Sequence, residues 1–159
     1  MKTNPPLVSI TITTKNEEKN IGNCLKSIKL QTYPNIEIIV VDNNSPDKTK
    51  QIAKRYTKKV FNKGPERSAQ RNYGMISKSK GKYVMFLDAD MILSPSLIES
   101  CVKVIENGKF FALHIPEVVL GDKYFSKVRR FERSFYDGTS IDGARFFAKK
   151  NLKRQEDLI

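Results

Sequence analysis

The apolar positions fall into short blocks whose period switches between two and nearly four. Leu7-Val8-Ser9-Ile10-Thr11-Ile12-Thr13 alternates apolar with small polar residues and is rich in β-branched side chains, which predicts a strand. Thr14-Lys15-Asn16 breaks the alternation. Ile21, Cys24, Leu25 and Ile28 then recur at helical spacing, predicting a helix from about Glu17 to Leu30. Asn16 would cap it, and Glu17-Glu18 suit the positive end of its dipole. After the turn Thr32-Tyr33-Pro34-Asn35, the β-branched run Ile36 to Val41 predicts a second strand, which ends on Asp42. Ile52, Ala53 and Tyr56 mark a short helix, and Val60-Phe61 a brief third strand. Ala69, Tyr73 and Ile76 place a helix over Ser68 to Ser77. Tyr83 to Leu87 is a continuous apolar run, the mark of a strand buried on both faces of a parallel sheet.

Beyond that run, Ser94-Pro95 reads as a helix start, and Leu97, Ile98, Cys101, Val102 and Ile105 give the helix an apolar face that ends at Asn107-Gly108. Phe110 to Ile115 predicts another strand. Tyr124, Val128, Phe131 and Phe135 fall on one stripe of a helix over Asp122 to Tyr136, with Lys123, Lys127, Arg129, Arg130 and Arg133 largely off it. Such a helix either packs its aromatic stripe into a core or meets an anionic membrane or lipid phosphate. Ala144 to Ala148 reads as a last short strand, and Asn151 to Ile159 as a polar tail that begins a helix or frays. Strand and helix in alternation argue for an α/β fold with a mostly parallel central sheet and helices on both faces.

Composition narrows the classes. A chain of 159 residues with 39% hydrophobic and 29% charged content is expected to form one globular domain over 1–159. No apolar run approaches the ~18 residues of a spanning helix, and the first residues lack the apolar core of a secretory signal. Cys24 and Cys101 sit among apolar neighbours, as buried free thiols do. These features predict a cytoplasmic protein. The net charge of +12 calls for an anionic partner: nucleic acid, an acidic membrane face, or a phosphorylated substrate.

The chemistry concentrates at strand ends. Asp88-Ala89-Asp90 closes the buried run, and in an extended chain residues two apart project to the same side. Two carboxylates there can hold a hard divalent cation, although an isolated Asp-x-Asp is also a plain solvated strand end. Thr13, Thr14 and Glu17 follow the first strand. Asp42 ends the second, suited to accept hydrogen bonds from a base or ribose, or equally to start a turn. Ends of parallel strands share one edge of a sheet, so these groups can meet in one cleft. Lys63, Gly64, Arg67 and Arg71 lie between the second and fourth strands, and arginine pairs with phosphate through two parallel hydrogen bonds.

Four segments together resemble glycosyltransferase family 2: Val8-Ser9-Ile10-Thr11-Ile12-Thr13-Thr14-Lys15-Asn16-Glu17-Glu18, Ile38-Ile39-Val40-Val41-Asp42-Asn43-Asn44-Ser45-Pro46-Asp47, Gly64-Pro65-Glu66-Arg67-Ser68-Ala69-Gln70-Arg71-Asn72, and Gly81-Lys82-Tyr83-Val84-Met85-Phe86-Leu87-Asp88-Ala89-Asp90. The likeness spans roughly residues 7–107. It implies the type A glycosyltransferase fold, a UDP- or GDP-linked sugar donor, and Mg²⁺ or Mn²⁺. By position, Thr13, Thr14 and Glu17 would border the nucleotide, Asp42 would hold base or ribose, and Arg71 would lie near the donor sugar or phosphate. Asp88 would touch ribose or sugar, and Asp90 would bind the metal. Thr13 replaces the family's usual proline and Lys15 its usual aromatic, which alters the shape of the base pocket.

The resemblance implies an inverting displacement onto a lipid-linked or polysaccharide acceptor. Residues 7–107 would form the nucleotide-sugar half and 108–159 part of an acceptor half. The family's base is the Asp of a Glu-Asp pair that follows a segment like Gly143-Ala144-Arg145-Phe146-Phe147-Ala148. Here that pair is Glu156-Asp157, so either Asp157 is the base or the base belongs to chain beyond Ile159. A donor-binding relative without turnover is the alternative. Sugar-phosphate nucleotidyltransferases and NAD-binding domains want a glycine-rich loop after the first strand, which Thr13-Thr14-Lys15-Asn16 is not. A nucleic-acid-binding module fits the lysines but has no recognisable motif, and nucleic acid is not an expected partner.

Overall fold

A computed structural model describes residues 4–108, 110–121, 123–135 and 143–156. Among them, strands β1 (Val8–Thr14), β2 (Ile36–Asp42), β3 (Val60–Asn62), β4 (Tyr83–Asp88), β5 (Ala112–Leu113) and β6 (Phe146–Ala148) form one sheet in the order β3-β2-β1-β4-β6-β5. β3, β2, β1 and β4 run parallel, and β6 alone is reversed, pairing antiparallel to both β4 and β5. The mostly parallel sheet expected from the alternation is therefore present. The helices are α1 (Ile21–Lys29), α2 (Thr49–Ala53), α3 (Arg67–Asn72), α4 (Leu97–Asn107), α5 (Tyr124–Ser134) and α6 (Lys149–Glu156).

The alternation in β1 has a packing reason. Val8, Ile10 and Ile12 are fully buried in a core built with Ile21, Leu25 and Ile28 of α1 and Ile98, Val102 and Ile105 of α4. On the opposite side, Ser9, Thr11 and Thr13 are equally buried but small. α3 continues there into a π-helical turn, Tyr73–Lys78, whose Gly74 lies against β1. A Cβ on Gly74 would fall 2.2 Å from Thr11 Cγ2. Small residues on both partners thus allow this helix to approach the sheet closely.

Several boundaries differ from the sequence reading. The first helix starts at Ile21, not Glu17, and Asn16 is not its cap. Asn16 takes a left-handed conformation (φ 56°), and the Glu17 N–H donates to Thr49 Oγ1 at 2.8 Å. Glu17 to Asn20 form a turn whose Glu17 carbonyl accepts from Ile21 N–H at 2.9 Å. Ser94-Pro95 does not open the fourth helix either. Their carbonyls accept from the Gln31 side chain at 2.7 Å and from Thr32 N–H at 2.9 Å, and α4 starts at Leu97. The strand expected over Phe110 to Ile115 shrinks to Ala112–Leu113, because it pairs only with the short β6.

Candidate active site

Register fixes which groups meet. β1 lies between β2 and β4, so Thr14 pairs with Asp42 on one side and Thr13 with Asp88 on the other. A cleft of about 810 Å³ opens beyond these carboxyl ends, where ligands gather in open α/β sheets. Thr13, Thr14, Lys15 and Glu17 line it from the β1 side, Asp88, Ala89 and Asp90 from the end of β4, and Arg67 from α3. Glu117 and Arg145 line the far wall.

Asp88 is the hub. Its Oδ1 accepts from Thr13 Oγ1 at 3.1 Å and from Arg71 Nη2 at 3.2 Å. Arg145 Nη1 stands 3.9 Å from Oδ2, and Arg67 Nη1 4.0 Å from Oδ1. Arg71 and Arg145 both lie over the Phe86 ring, 4.2 and 5.1 Å from its centroid, a cation–π arrangement that holds each guanidinium beside the carboxylate. Arg145 also forms a close ion pair with Glu117. Arg71 Nε and Arg145 Nη1 are buried without a hydrogen-bond partner, as is Thr14 Oγ1. Thr14 and Arg145 line the cleft, whereas Arg71 is outside the lining and reaches it only through Asp88. Buried donors left over at a cleft are unusual in folded proteins and mark room for an acceptor-rich ligand.

The strand ends at Asp88, and Ala89-Asp90 form a turn closed by Met91 N–H donating to the Asp88 carbonyl at 3.1 Å. The two carboxylates therefore do not share a side through strand pleating. Both line the same cleft nonetheless, because the turn folds Asp90 back to its mouth while Ala89 is buried. Beneath them, Cys24 Sγ lies 3.9 Å from the Asp88 carbonyl. Burial, reinforced by the charges of Asp90 and Asp88, pushes its thiol up to about 12. Cys24 is therefore an inert packing group and a free thiol, as is Cys101.

The remaining expected site residues separate. Asp42 is fully buried and absent from the cleft lining. Its Oδ2 accepts from Ser45 N–H at 2.7 Å and its Oδ1 from Ser45 Oγ at 2.6 Å. Ser45 Oγ in turn accepts from Asn16 N–H at 2.9 Å. Asp42 thus clips the loop after β2 to the loop after β1. Lys63 is exposed and outside the lining. Gly64 packs against Asn43, where a Cβ would fall 2.2 Å from Asn43 Oδ1. Asp157 lies outside the described residues.

Sequence reasoning missed Gln70, Glu117 and Arg145. The buried Gln70 amide donates to the carbonyls of Val41 at 2.8 Å and Thr14 at 3.2 Å, tying two strand ends together. A single glutamine on a short helix carries no such signal. Glu117 and Arg145 are isolated charges in the sequence, and the return of β6 beside β4 brings Arg145 to Asp88 with Glu117 as its ion-pair partner.

The donor set fits a hard divalent ion. Among the described residues, no three His, Cys, Asp or Glu side chains gather into an all-protein metal cage. Mg²⁺ seldom uses one: it keeps waters and takes one or two carboxylates plus substrate phosphates. Asp90, exposed at the cleft mouth, supplies such a carboxylate, with Asp88 behind it.

The family model for glycosyl transferase family 2 matches residues 9–156. The chain belongs to glycosyltransferase family 2. An uncharacterized glycosyltransferase of Methanocaldococcus jannaschii is 33% identical over 156 residues, covering 92% of this chain and 53% of the relative. Glycosyltransferase GlyA of Streptococcus pneumoniae serotype 4 is 30% identical over 152 residues, covering 84% of this chain and 21% of that protein. This family 2 transferase chain thus spans between about a fifth and a half of those relatives' length. Among solved structures, Staphylococcus aureus TarS 1-349 in complex with UDP-GlcNAc aligns with TM-score 0.68 at 21% identity, covering 94% of this chain and 47% of the other. A Pyrobaculum calidifontis mannosyltransferase in complex with GDP-Man and Mn²⁺ aligns with TM-score 0.68 at 21% identity, covering 94% and 46%. The fold of this family 2 glycosyltransferase is the type A fold.

Proposed function

We propose that the cleft binds a nucleotide-diphospho-sugar and that the chain takes part in inverting transfer of the sugar to a lipid-linked or glycan acceptor. The observation that carries this reading is the convergence of Thr13, Thr14, Glu17, Arg67, Asp88 and Asp90 in one cleft at the carboxyl ends of β1 and β4. Thr14 and Glu17 border the nucleotide. Arg67 faces the diphosphate from the cleft wall, and Arg71, bound to Asp88, adds positive charge beside it. Asp88, fixed by Thr13 and Arg71, orients the sugar or ribose hydroxyls. Asp90, aided by Asp88, would hold Mg²⁺ or Mn²⁺, which would supply Lewis-acid stabilisation of the diphosphate. Asp42 serves the site indirectly, by fixing the loop that carries Lys15 and Glu17.

The acceptor hydroxyl must lose a proton as it attacks, and Asp157 is our candidate for that base. The chain's share of its relatives' length supports a second reading, in which this stretch binds donor and leaves turnover to residues elsewhere. Calorimetry with UDP and GDP, with Mn²⁺ and with chelator, tests the donor site. Metal-dependent binding of one nucleotide that Asp90→Ala removes is expected. Affinity unchanged by chelator and by Asp90→Ala overturns the metal assignment. Binding without transfer to any acceptor, in the wild type and Asp157→Asn alike, favours the second reading.

A further inference from the structure

The apolar stripe of α5 is open to solvent. In a helix packed on a core, the apolar stripe faces inward and the charges face water. Here Tyr124 is 74% exposed, Phe125 83%, Phe131 68% and Phe135 64%. Among the described residues of α5, no hydrophobic side chain belongs to the buried core or packs against it. Of the polar residues, Arg129 lines the cleft and Arg130 Nη2 donates to the Gly121 carbonyl in the loop before the helix at 2.8 Å, while Lys127 and Glu132 are exposed. The loop leading into the helix continues the apolar surface, with Val118 74% and Leu120 73% exposed.

Charge identifies what this surface meets. The helix Tyr124–Ser134 carries Lys127, Arg129, Arg130 and Arg133 against the single acid Glu132, with Lys123 just before it. At 100° per residue, Tyr124, Val128, Phe131 and Phe135 share a stripe about 60° wide, with Lys127 on one side and Glu132 and Phe125 on the other, and Arg129, Arg130 and Arg133 gathered on the opposite face. A soluble partner with an apolar groove has no need of this excess of cations, whereas a bilayer with anionic headgroups rewards an exposed aromatic stripe on a basic helix. The helix of 11 residues is far too short to cross a membrane, and among the described residues no helix is long and apolar enough to do so.

We propose that α5, with Val118 and Leu120, lies in the headgroup boundary of an anionic membrane and turns the cleft toward that surface. This deepens the proposed function and rests on it in one respect: Arg129 belongs both to the docking helix and to the cleft wall, so a lipid-linked acceptor would enter along α5. The membrane contact itself is independent of transfer.

Flotation of the 159-residue chain with vesicles tests it, using phosphatidylcholine alone and phosphatidylcholine with phosphatidylglycerol. Binding to the anionic vesicles, weakened by raising the salt, is expected. Phe125→Ser with Phe131→Ser should lower partitioning by roughly tenfold per phenylalanine, and Lys123→Ser with Lys127→Ser by roughly fivefold per lysine. All four side chains are exposed, so circular dichroism should be unchanged. Equal binding to neutral and anionic vesicles, or full partitioning by the phenylalanine variant, overturns the proposal. So does lipid-free dimerisation by light scattering that both phenylalanine changes abolish while vesicle binding is absent. Nucleotide binding measured without vesicles reports separately on the donor site, so failure of docking and failure of the transferase reading are distinguishable.

Discussion

Asp42→Asn separates a structural aspartate from a ligand-binding one. The carboxylate has no solvent exposure, and both oxygens accept from Ser45, at 2.7 Å from the N–H and 2.6 Å from Oγ. Lys50 Nζ stands 4.0 Å away, so the charge is partly met within the protein. Asparagine keeps the shape but has only one acceptor oxygen. One hydrogen bond to a charged group is lost, worth about 1.5–3 kcal/mol, and a buried donor is left facing an amide N–H. A net loss of about 3 kcal/mol is expected, which lowers Tm by roughly 6–12 °C in a domain of this size. Urea unfolding followed by circular dichroism gives the midpoint and slope, and Ser45→Ala supplies the other arm of a double-mutant cycle. Asp42 and Ser45 should couple by at least about 1 kcal/mol. Nucleotide affinity, measured where the variant is still folded, should fall only modestly. An unchanged unfolding midpoint together with abolished nucleotide binding would refute the reasoning and return Asp42 to the base or ribose.

Gly74→Ala should destabilise by about 1–3 kcal/mol, since its new Cβ would meet Thr11 Cγ2 at 2.2 Å inside a closed interface. Thr11→Ala in the same chain should restore part of that loss, and urea midpoints check both. Burial tends to raise the Glu37 carboxyl, but hydrogen bonds from Lys59, Ser9 and the Lys80 N–H outweigh it and hold the group below its usual range. A depressed folded pKa contributes stability above the unfolded value of ~4.3, lost as pH falls through the folded one. Glu37→Gln should therefore flatten the wild-type loss of stability below about pH 4, as thermal melts between pH 6 and 3 would record.

Much of the fold was legible because periodicity is a local signal. Val8, Ile10 and Ile12 alternate because one face of β1 meets α1 and α4, and the run of β4 is buried at Tyr83, Val84, Met85 and Leu87 with Phe86 half-buried. The acids at strand ends were visible for the same reason, since the end of an apolar run marks the sheet's edge. What the sequence concealed is set by distant contacts. Asn16 could pass as a helix cap, but its left-handed backbone answers to Ser45, which lies beyond the whole of α1 and β2. Arg145 reaches Asp88, and brings its ion-pair partner Glu117 to the cleft, only because β6 returns antiparallel beside β4. The stripe on α5 was plain, but periodicity states that a helix has two faces without stating which one meets water. The exposure of Phe125 and Phe131 decides that.

Crystals grown with Mn²⁺ and either UDP or GDP, measured at the manganese absorption edge, address the donor site most directly. The account predicts an anomalous peak at the Asp90 carboxylate, with the nucleotide lying along Thr13, Thr14 and Glu17. A nucleotide seated instead in the second cavity, of about 610 Å³ beside Lys82, Lys149 and Lys150, with no manganese at Asp90, would contradict it.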